Sequence, residues 1–448
     1  MKLFGTDGIR GAVNTHPMTP ETVVRVGMAI GQILHRNNGK NMILIGKDTR
    51  LSGYTIESAL TSGICAMGMN VTLVGPLPTP GVAYLTKSLR FDAGIVISAS
   101  HNPFEDNGIK IFDRDGFKLS DTIEQTIESL VINTKNGLTL PHAGKIGKAY
   151  RLEDATARYI EYVKSTISRD VDFEGLKVVV DSANGAAYKV TPLLLAELGA
   201  EVISLNDDPD GKNINDHCGS LYLENLSKAV ISHRAHVGIA HDGDADRTLM
   251  CDEFGNTIDG DLIMAIWAKE LQAQGKLRNS TVVSTVMSNL GLEHYLNREG
   301  ITLLRTKVGD RYVVEKMLEG NFNFGGEQSG HIISLAHSTT GDGPITAIQI
   351  LDIAWKSKKP LSELVSEVTL YPQVLKNVRV ARMQDFRSFP EIVSAIAVAE
   401  SELNGTGRIL VRPSGTEPKI RIMVEGQNKA LVDDIAERVS GMVERLMA

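Results

Sequence analysis

The chain has 448 residues, 42% hydrophobic and 23% charged, which is enough length and apolar content for several packed cores and excludes a peptide, a disulfide mini-protein or a disordered tail. Forty-seven Lys and Arg against 54 Asp and Glu leave a net charge of −7, which argues against broad affinity for nucleic acid or an anionic membrane while leaving small anionic substrates open. Cys65, Cys218 and Cys251 are widely spaced without a CxxC pair, so they fit a reducing compartment and carry no zinc signature.

The first residues contain no apolar signal core, and no apolar run approaches the ~18 residues of a membrane span, so a cytoplasmic protein is expected. From residue 42 a pattern appears three times: a short apolar run, a polar Gly-containing turn, and a segment of helix length. The opening runs lie at 42–46, 177–181 and 281–285, second runs follow a glycine at 68–75, 199–205 and 300–305, and third runs close each unit at 93–98, 236–240 and 321–324. This predicts three related α/β units with mixed or parallel sheets. The last eighty or so residues alternate at 377–380, turn helical at 391–403, alternate again at 407–411 and 419–424, and close on a helix, which predicts a small α+β domain. The expected domains are 1–150, 151–254, 255–368 and 369–448.

Each third run leads into an unusual polar segment: Ser98-Ala99-Ser100-His101-Asn102-Pro103, Asp242-Gly243-Asp244-Ala245-Asp246-Arg247, and Gly325-Gly326-Glu327-Gln328-Ser329-Gly330-His331. Ligands of open α/β sheets bind at the carboxyl ends of strands, so the three loops are expected to face one cleft. On an extended segment Asp242, Asp244 and Asp246 would point to one side, and an all-oxygen set selects a hard cation such as Mg²⁺. An EF-hand, suggested by Glu253 at the twelfth position from Asp242, fails because its sixth position is Arg247 and a strand-like run precedes it. Arg247 beside a cation site is sensible where an anion bridges metal and protein. Ser100 alone reads as a cap or turn residue; with the carboxylates and the cations Arg10 and Lys110 in the same chain, a phosphorylatable nucleophile is the better reading. Glu327, Ser329 and His331 suit sugar hydroxyls, with His331 able to exchange a proton. The turn Arg412-Pro413-Ser414-Gly415-Thr416-Glu417-Pro418, followed by Arg421, has the inventory of a phosphate cradle. No Walker A or Rossmann fingerprint occurs.

Taken in order, Gly5-Thr6-Asp7-Gly8-Ile9-Arg10-Gly11, the Ser100 segment with Asn107-Gly108-Ile109-Lys110, the aspartate loop, the Glu327 loop and the Arg412 turn resemble the α-D-phosphohexomutases over essentially the whole chain. The segment Thr306-Lys307-Val308-Gly309-Asp310-Arg311 and Gln328 resemble the phosphoglucosamine subgroup, whereas His241 and Ala245 stand where many bacterial members have Phe and Gly. The resemblance implies a heart-shaped molecule around a central cleft, with three α/β domains and a C-terminal domain like the TATA-binding-protein fold. It implies a catalytic set of Ser100, Arg10, His101, Lys110, Arg247 and His331. Metal ligands would be Ser100, through its phosphate, with Asp242, Asp244 and Asp246. Substrate would be bound by Glu327, Ser329, Arg412, Ser414, Gly415, Thr416 and Arg421. The implied reaction interconverts glucosamine 6-phosphate and glucosamine 1-phosphate through a phosphoserine and a 1,6-bisphosphate of glucosamine or glucose, with Mg²⁺, and feeds UDP-N-acetylglucosamine and the cell wall. Sugar phosphates would be the partners, and a homodimer is compatible with the family. A phosphoglucomutase or phosphomannomutase shares every catalytic part, and a metal-dependent phosphatase shares the serine and the carboxylates.

Overall fold

The computed structural model describes residues 3–5, 7–36, 39–133, 137–382, 384–414 and 418–447. The chain divides into two compact units, Met1–Met287 with Ile301–Ser366, and Ser288–Gly300 with Glu367–Ala448.

The first unit repeats one strand plan three times. In each repeat the opening strand lies between two parallel neighbours, and a fourth strand returns antiparallel beside the third. The orders are Asn70–Pro76, Met42–Lys47, Ala93–Ile97, Asp106–Asp113; then Glu201–Leu205, Lys177–Asp181, Val237–His241, Thr248–Cys251; then Thr302–Thr306, Thr281–Thr285, Phe324–Gly326, Ile332–Ser334. The opening strands centre on consecutive apolar residues, only two of them in the third, as suits a parallel sheet covered on both faces, and Ile43, Leu44, Ile45, Val178, Val179, Val180, Val282 and Val283 are fully buried. Each such side chain contributes about 1.5–3 kcal/mol. Phe4–Gly5 and Gly8–Ala12 extend the first sheet beyond its antiparallel strand, so Arg10 stands opposite Gly108, and the N-terminal motif lies beside the Lys110 strand.

The expectation for 321–324 needs correction, since the strand is Phe324–Gly326. Residues 320–323 form the exit from the helix Asp310–Glu319: Asn321 is left-handed at φ 52°, Phe322 N–H donates to Met317 O, and the Asn323 side chain is held by Arg278 N and Lys276 O. Gly325 belongs to the strand because the neighbouring backbone comes close; a Cβ there would lie 2.2 Å from Val283 O. The antiparallel fourth strands, absent from the three-run pattern, turn each polar segment into a bend between two paired strands.

In the second unit Gln373–Arg379, Lys419–Gly426 and Gly407–Pro413 form an antiparallel sheet with Lys419–Gly426 in the middle. The helix Lys429–Met447 presents Val432, Ile435, Ala436, Val439 and Val443, spaced by three and four residues, to a core with Ile420, Ile422 and Val424. The helix Pro390–Leu403 adds Ile392, Ala399 and Leu403. These are the α+β elements expected within 369–448, and the compact unit also takes in Ser288–Gly300.

Candidate active site

The three bends meet. Ser100, 1% exposed, follows Ala93–Ile97 and adopts φ 53°, a left-handed conformation unusual for serine. Its Oγ donates to Asp242 Oδ2 at 2.6 Å and lies 3.5 Å from His101 Nδ1. Burial, with Arg247 and Arg10 nearby, lowers the His101 pKa to about 4, so its imidazole is neutral near neutrality.

Asp242, Asp244 and Asp246 are buried, and each offers an oxygen within 4.8 Å of the others. They converge for a reason other than strand alternation. The segment is a tight turn, with Ala245 N–H donating to Asp242 O at 3.0 Å and Ala245 left-handed at φ 53°. Gly243 is required by close approach: a Cβ there would stand 2.6 Å from Ser100 O, so the two loops touch backbone to backbone. Burial, then the carboxylates of Asp246 and Asp244, push the Asp242 pKa up to about 8. Among the described residues Asp244 Oδ1 and Asp246 Oδ1 are buried without a close hydrogen bond, Asp246 Oδ1 having only the looser ion pairs with His331 and Arg247. Like charges gathered out of water, with carboxylate oxygens lacking close hydrogen bonds, fit a hard divalent cation.

Cations already crowd this cluster. Lys110 Nζ lies 2.8 Å from Asp244 Oδ2, 3.2 Å from Asp246 Oδ2 and 3.3 Å from Asp7 Oδ2. Burial disfavours its charge, but those carboxylates raise its pKa well above the ordinary value. Arg247 Nε stands 4.0 Å from Asp242 Oδ2 and 3.9 Å from Asp246 Oδ1, buried without a hydrogen bond of its own. Arg10 pairs with Asp7, and its Nε is likewise unpartnered, leaving donors of the kind a phosphoryl group accepts from.

The Glu327 bend supplies the third side. Glu327 Oε1 accepts from Gly309 N at 3.1 Å, Ser329 is half-buried, and Gly260 N–H donates to Gln328 O at the start of the helix Gly260–Ala273. His331 Nδ1 lies 3.5 Å from Asp246 Oδ1 and Nε2 3.5 Å from Asp310 Oδ2. Burial opposes its charge, but these carboxylates raise its pKa above the usual histidine value. Gly341 N–H donates to Nε2 at 3.0 Å, so the neutral ring carries its proton on Nδ1, toward Asp246. His241 is different. Its Nδ1 meets a carbonyl, Arg247 O, at 3.0 Å, so Nδ1 is the donor and Nε2 faces the Thr191 hydroxyl at 2.9 Å. Burial lowers its pKa to about 4, and it ties the two ends of the aspartate turn together as a neutral ring.

Several residues here escaped sequence reasoning. Lys118 bonds both Asp7 and Asp310, and Thr79, at the start of the helix Thr79–Ser88, donates to Asp244 Oδ2 at 2.6 Å. Asp48 and Arg50 form a buried ion pair beneath the Ser100 loop. The one available signal was the charged turn Lys47-Asp48-Thr49-Arg50 directly after a buried strand.

In the second unit Arg412 and Arg421 stand opposite each other in antiparallel register. Like charges directly opposite each other across a sheet are destabilising, so a counter-charge, from the chain or from an anion, is needed between them. Ser414 Oγ and Arg421 Nε are buried without a hydrogen-bond partner among the described residues. Gly415 and Thr416 lie outside the described residues.

Family models match in chain order: phosphoglucomutase/phosphomannomutase alpha/beta/alpha domain I over residues 1–137, domain II over 157–255, domain III over 259–371, and the C-terminal domain over 375–442. A phosphoglucosamine mutase of Thermodesulfovibrio yellowstonii is 54% identical over 451 residues, covering 100% of both chains. One from Syntrophotalea carbinolica is 54% identical, over 99% of this chain and 97% of its own. Among solved structures, a phosphoglucomutase/phosphomannomutase family protein of Burkholderia thailandensis superposes with a TM-score of 0.82 at 23% identity, covering 100% of this chain and 98% of its own. An Aspergillus fumigatus N-acetylphosphoglucosamine mutase, in complex with GlcNAc-6P and magnesium, has a TM-score of 0.65 at 17% identity, covering 100% and 96%. At those identities the two structures speak to the fold.

Proposed function

Because the chain belongs to the phosphoglucomutase/phosphomannomutase family, we propose that it interconverts glucosamine 6-phosphate and glucosamine 1-phosphate through a phosphoserine at position 100. The observation that carries this reading is Ser100 Oγ, 2.6 Å from Asp242 inside a buried cluster of three carboxylates and Lys110. Asp242, Asp244 and Asp246, with an oxygen of the Ser100 phosphate, would hold Mg²⁺, which when bound neutralises charge on the phosphoryl oxygens.

The chain's own groups do the rest. In the first transfer the Ser100 Oγ–P bond breaks and a P–O bond forms to the free hydroxyl of the bound sugar phosphate, whose proton passes to a base. The product is a 1,6-bisphosphate. After it reorients, its other phosphoryl group returns to Ser100 Oγ and the sugar oxygen released takes up a proton, so nothing is consumed. Lys110, Arg247 and Arg10 stabilise the phosphoryl oxygens in a site already arranged for negative charge. His101, neutral beside Ser100, and His331, with its raised pKa, are the candidates to accept and return the proton. Glu327 and Ser329 read the sugar hydroxyls, and the turn of Arg412, Ser414, Gly415, Thr416 and Arg421 binds phosphate. A 1,6-bisphosphate of glucosamine or glucose primes Ser100. The reading places the enzyme in the cytoplasm, with domain boundaries near residues 150, 254 and 368. Among the described residues no helix is long and apolar enough to cross a membrane.

The test compares turnover of glucosamine, glucose and mannose 6-phosphates by purified protein with Mg²⁺, alongside intact mass after incubation with the bisphosphate. Glucosamine is expected to be preferred, and one phosphoryl group is expected on the wild type and none on Ser100→Ala. A glucose or mannose preference would move the chain to another branch of the family. Stoichiometric release of inorganic phosphate would make it a phosphatase.

A further inference from the structure

Both backbone groups of Ser100 are held by side chains. Its N–H donates to Ser98 Oγ at 2.9 Å, and that hydroxyl donates onward to Asp48 Oδ2 at 2.6 Å. Its carbonyl accepts from Arg50 Nη2 at 3.0 Å and from Asn215 Nδ2 at 2.9 Å. The same two side chains hold Asn102 O, at 2.8 Å and 3.0 Å. Arg50 Nε returns to Asp48 Oδ2 at 2.8 Å, and both partners of this ion pair have fully buried side chains.

An ion pair stripped of water is a poor way to stabilise a fold, because apolar side chains of similar volume often do as well or better. What this one provides is geometry. Pinning the N–H and C=O of Ser100 fixes the two peptide planes on either side of its α carbon, and with them the φ of 53° and the direction of the Cβ–Oγ bond. An unrestrained L-serine would relax to negative φ, which carries Oγ away from Asp242.

We propose that Arg50, Asp48, Ser98 and Asn215 form a positioning network that keeps the Ser100 nucleophile aligned with the carboxylate cluster for phosphoryl transfer. Its members act through the backbone of Ser100. The inference rests on the reading of Ser100 as the phosphoryl carrier.

The test uses full-length Ser98→Ala and Asn215→Ala, neither of which strands a buried charge, with Mg²⁺, glucosamine 6-phosphate and a bisphosphate primer. A misplacement of about 1 Å costs up to roughly 100-fold, so kcat is expected to fall about 10- to 100-fold while KM stays within about twofold. The ³¹P resonance of the phosphoserine should shift in both variants, which a purely structural role would not produce. Should Ser98→Ala fail to fold, Asn215→Ala alone decides. Wild-type kcat and an unmoved resonance in the folded variants, with Ser100→Ala inactive, would overturn the positioning network and leave the carrier reading standing. Turnover by Ser100→Ala would overturn the carrier reading itself, and the network with it.

Discussion

The proposed function gives phosphate to both the Ser100 region and the Arg412–Arg421 turn, yet the two arrange charge in opposite ways. Around Ser100 the chain opposes carboxylates with its own cations: Lys110 is shared among Asp244, Asp246 and Asp7, and Lys118 joins Asp7 to Asp310. In the turn two arginines are placed opposite each other, and Ser414 Oγ and Arg421 Nε have no hydrogen-bond partner among the described residues. The first arrangement is organised before any ligand arrives, which suits stabilising charge that develops during a reaction. The second sets two arginines side by side, and under the proposed function an anion would lie between them, which suits affinity. Changes in the first region should therefore act on kcat and changes in the second on KM.

The largest effect should come from Ser100→Ala, which removes the nucleophile and is expected to lower kcat by at least about 10⁴-fold. Rates measured with the same sugar phosphate and primer check it; a loss confined to KM would erase the contrast between the regions. Next is a change that belongs to neither role. Glu425 is fully buried in the central strand of the second unit, accepting from Arg408 Nε at 2.5 Å, Gln373 Nε2 at 2.9 Å and Leu290 N at 3.2 Å. Arg408→Ala leaves that carboxylate without its cation and is expected to cost about 2–3 kcal/mol of stability in urea unfolding. An unchanged midpoint would mean Glu425 does not depend on Arg408.

Arg421→Ala should weaken phosphate binding by about 2 kcal/mol, raising KM roughly 30-fold with kcat nearly unchanged. Steady-state kinetics read the split, and a kcat-only effect would assign the turn to catalysis. The smallest effect isolates burial from catalytic electrostatics. Asp342 caps the helix Gly343–Ser357, accepts from Tyr159 OH at 2.8 Å, and is pushed up to about 7 by burial. The folded state thus prefers the protonated acid, so this contribution is complete below about pH 4 and is lost as pH rises through about 7. Asp342→Asn keeps the cap and should flatten that decline by about 1–3 kcal/mol between about pH 5 and pH 8. Identical pH slopes of unfolding free energy for the two proteins would contradict it.

Much of this site was legible in the sequence because it is built at the ends of recognisable strands. Three aspartates spaced by two, a serine just after a buried strand and ahead of a proline, and an arginine-bearing turn between two alternating segments are local patterns, and local geometry preserves them. The convergence of the aspartates was anticipated on the wrong ground, since a tight turn brings them together. The contacts of Lys118 and Thr79 were not legible, because they join distant segments: 192 residues separate Lys118 from Asp310 and 165 separate Thr79 from Asp244, while the local pair of Asp48 with Arg50 showed only as a charged turn, its link to Ser100 lying 50 residues on.

The sequence by itself determined the repeated α/β plan, the separate α+β unit and the residue types that phosphoryl chemistry needs, because apolar period and turn chemistry act over a few residues. Only the tertiary structure decided that the three bends share one buried cluster, that Gly243 lets two backbones touch, and that Ser100 is held left-handed by side chains from distant segments. Those outcomes depend on which strands pair and how closely chains approach, and contacts of that kind leave no periodic trace.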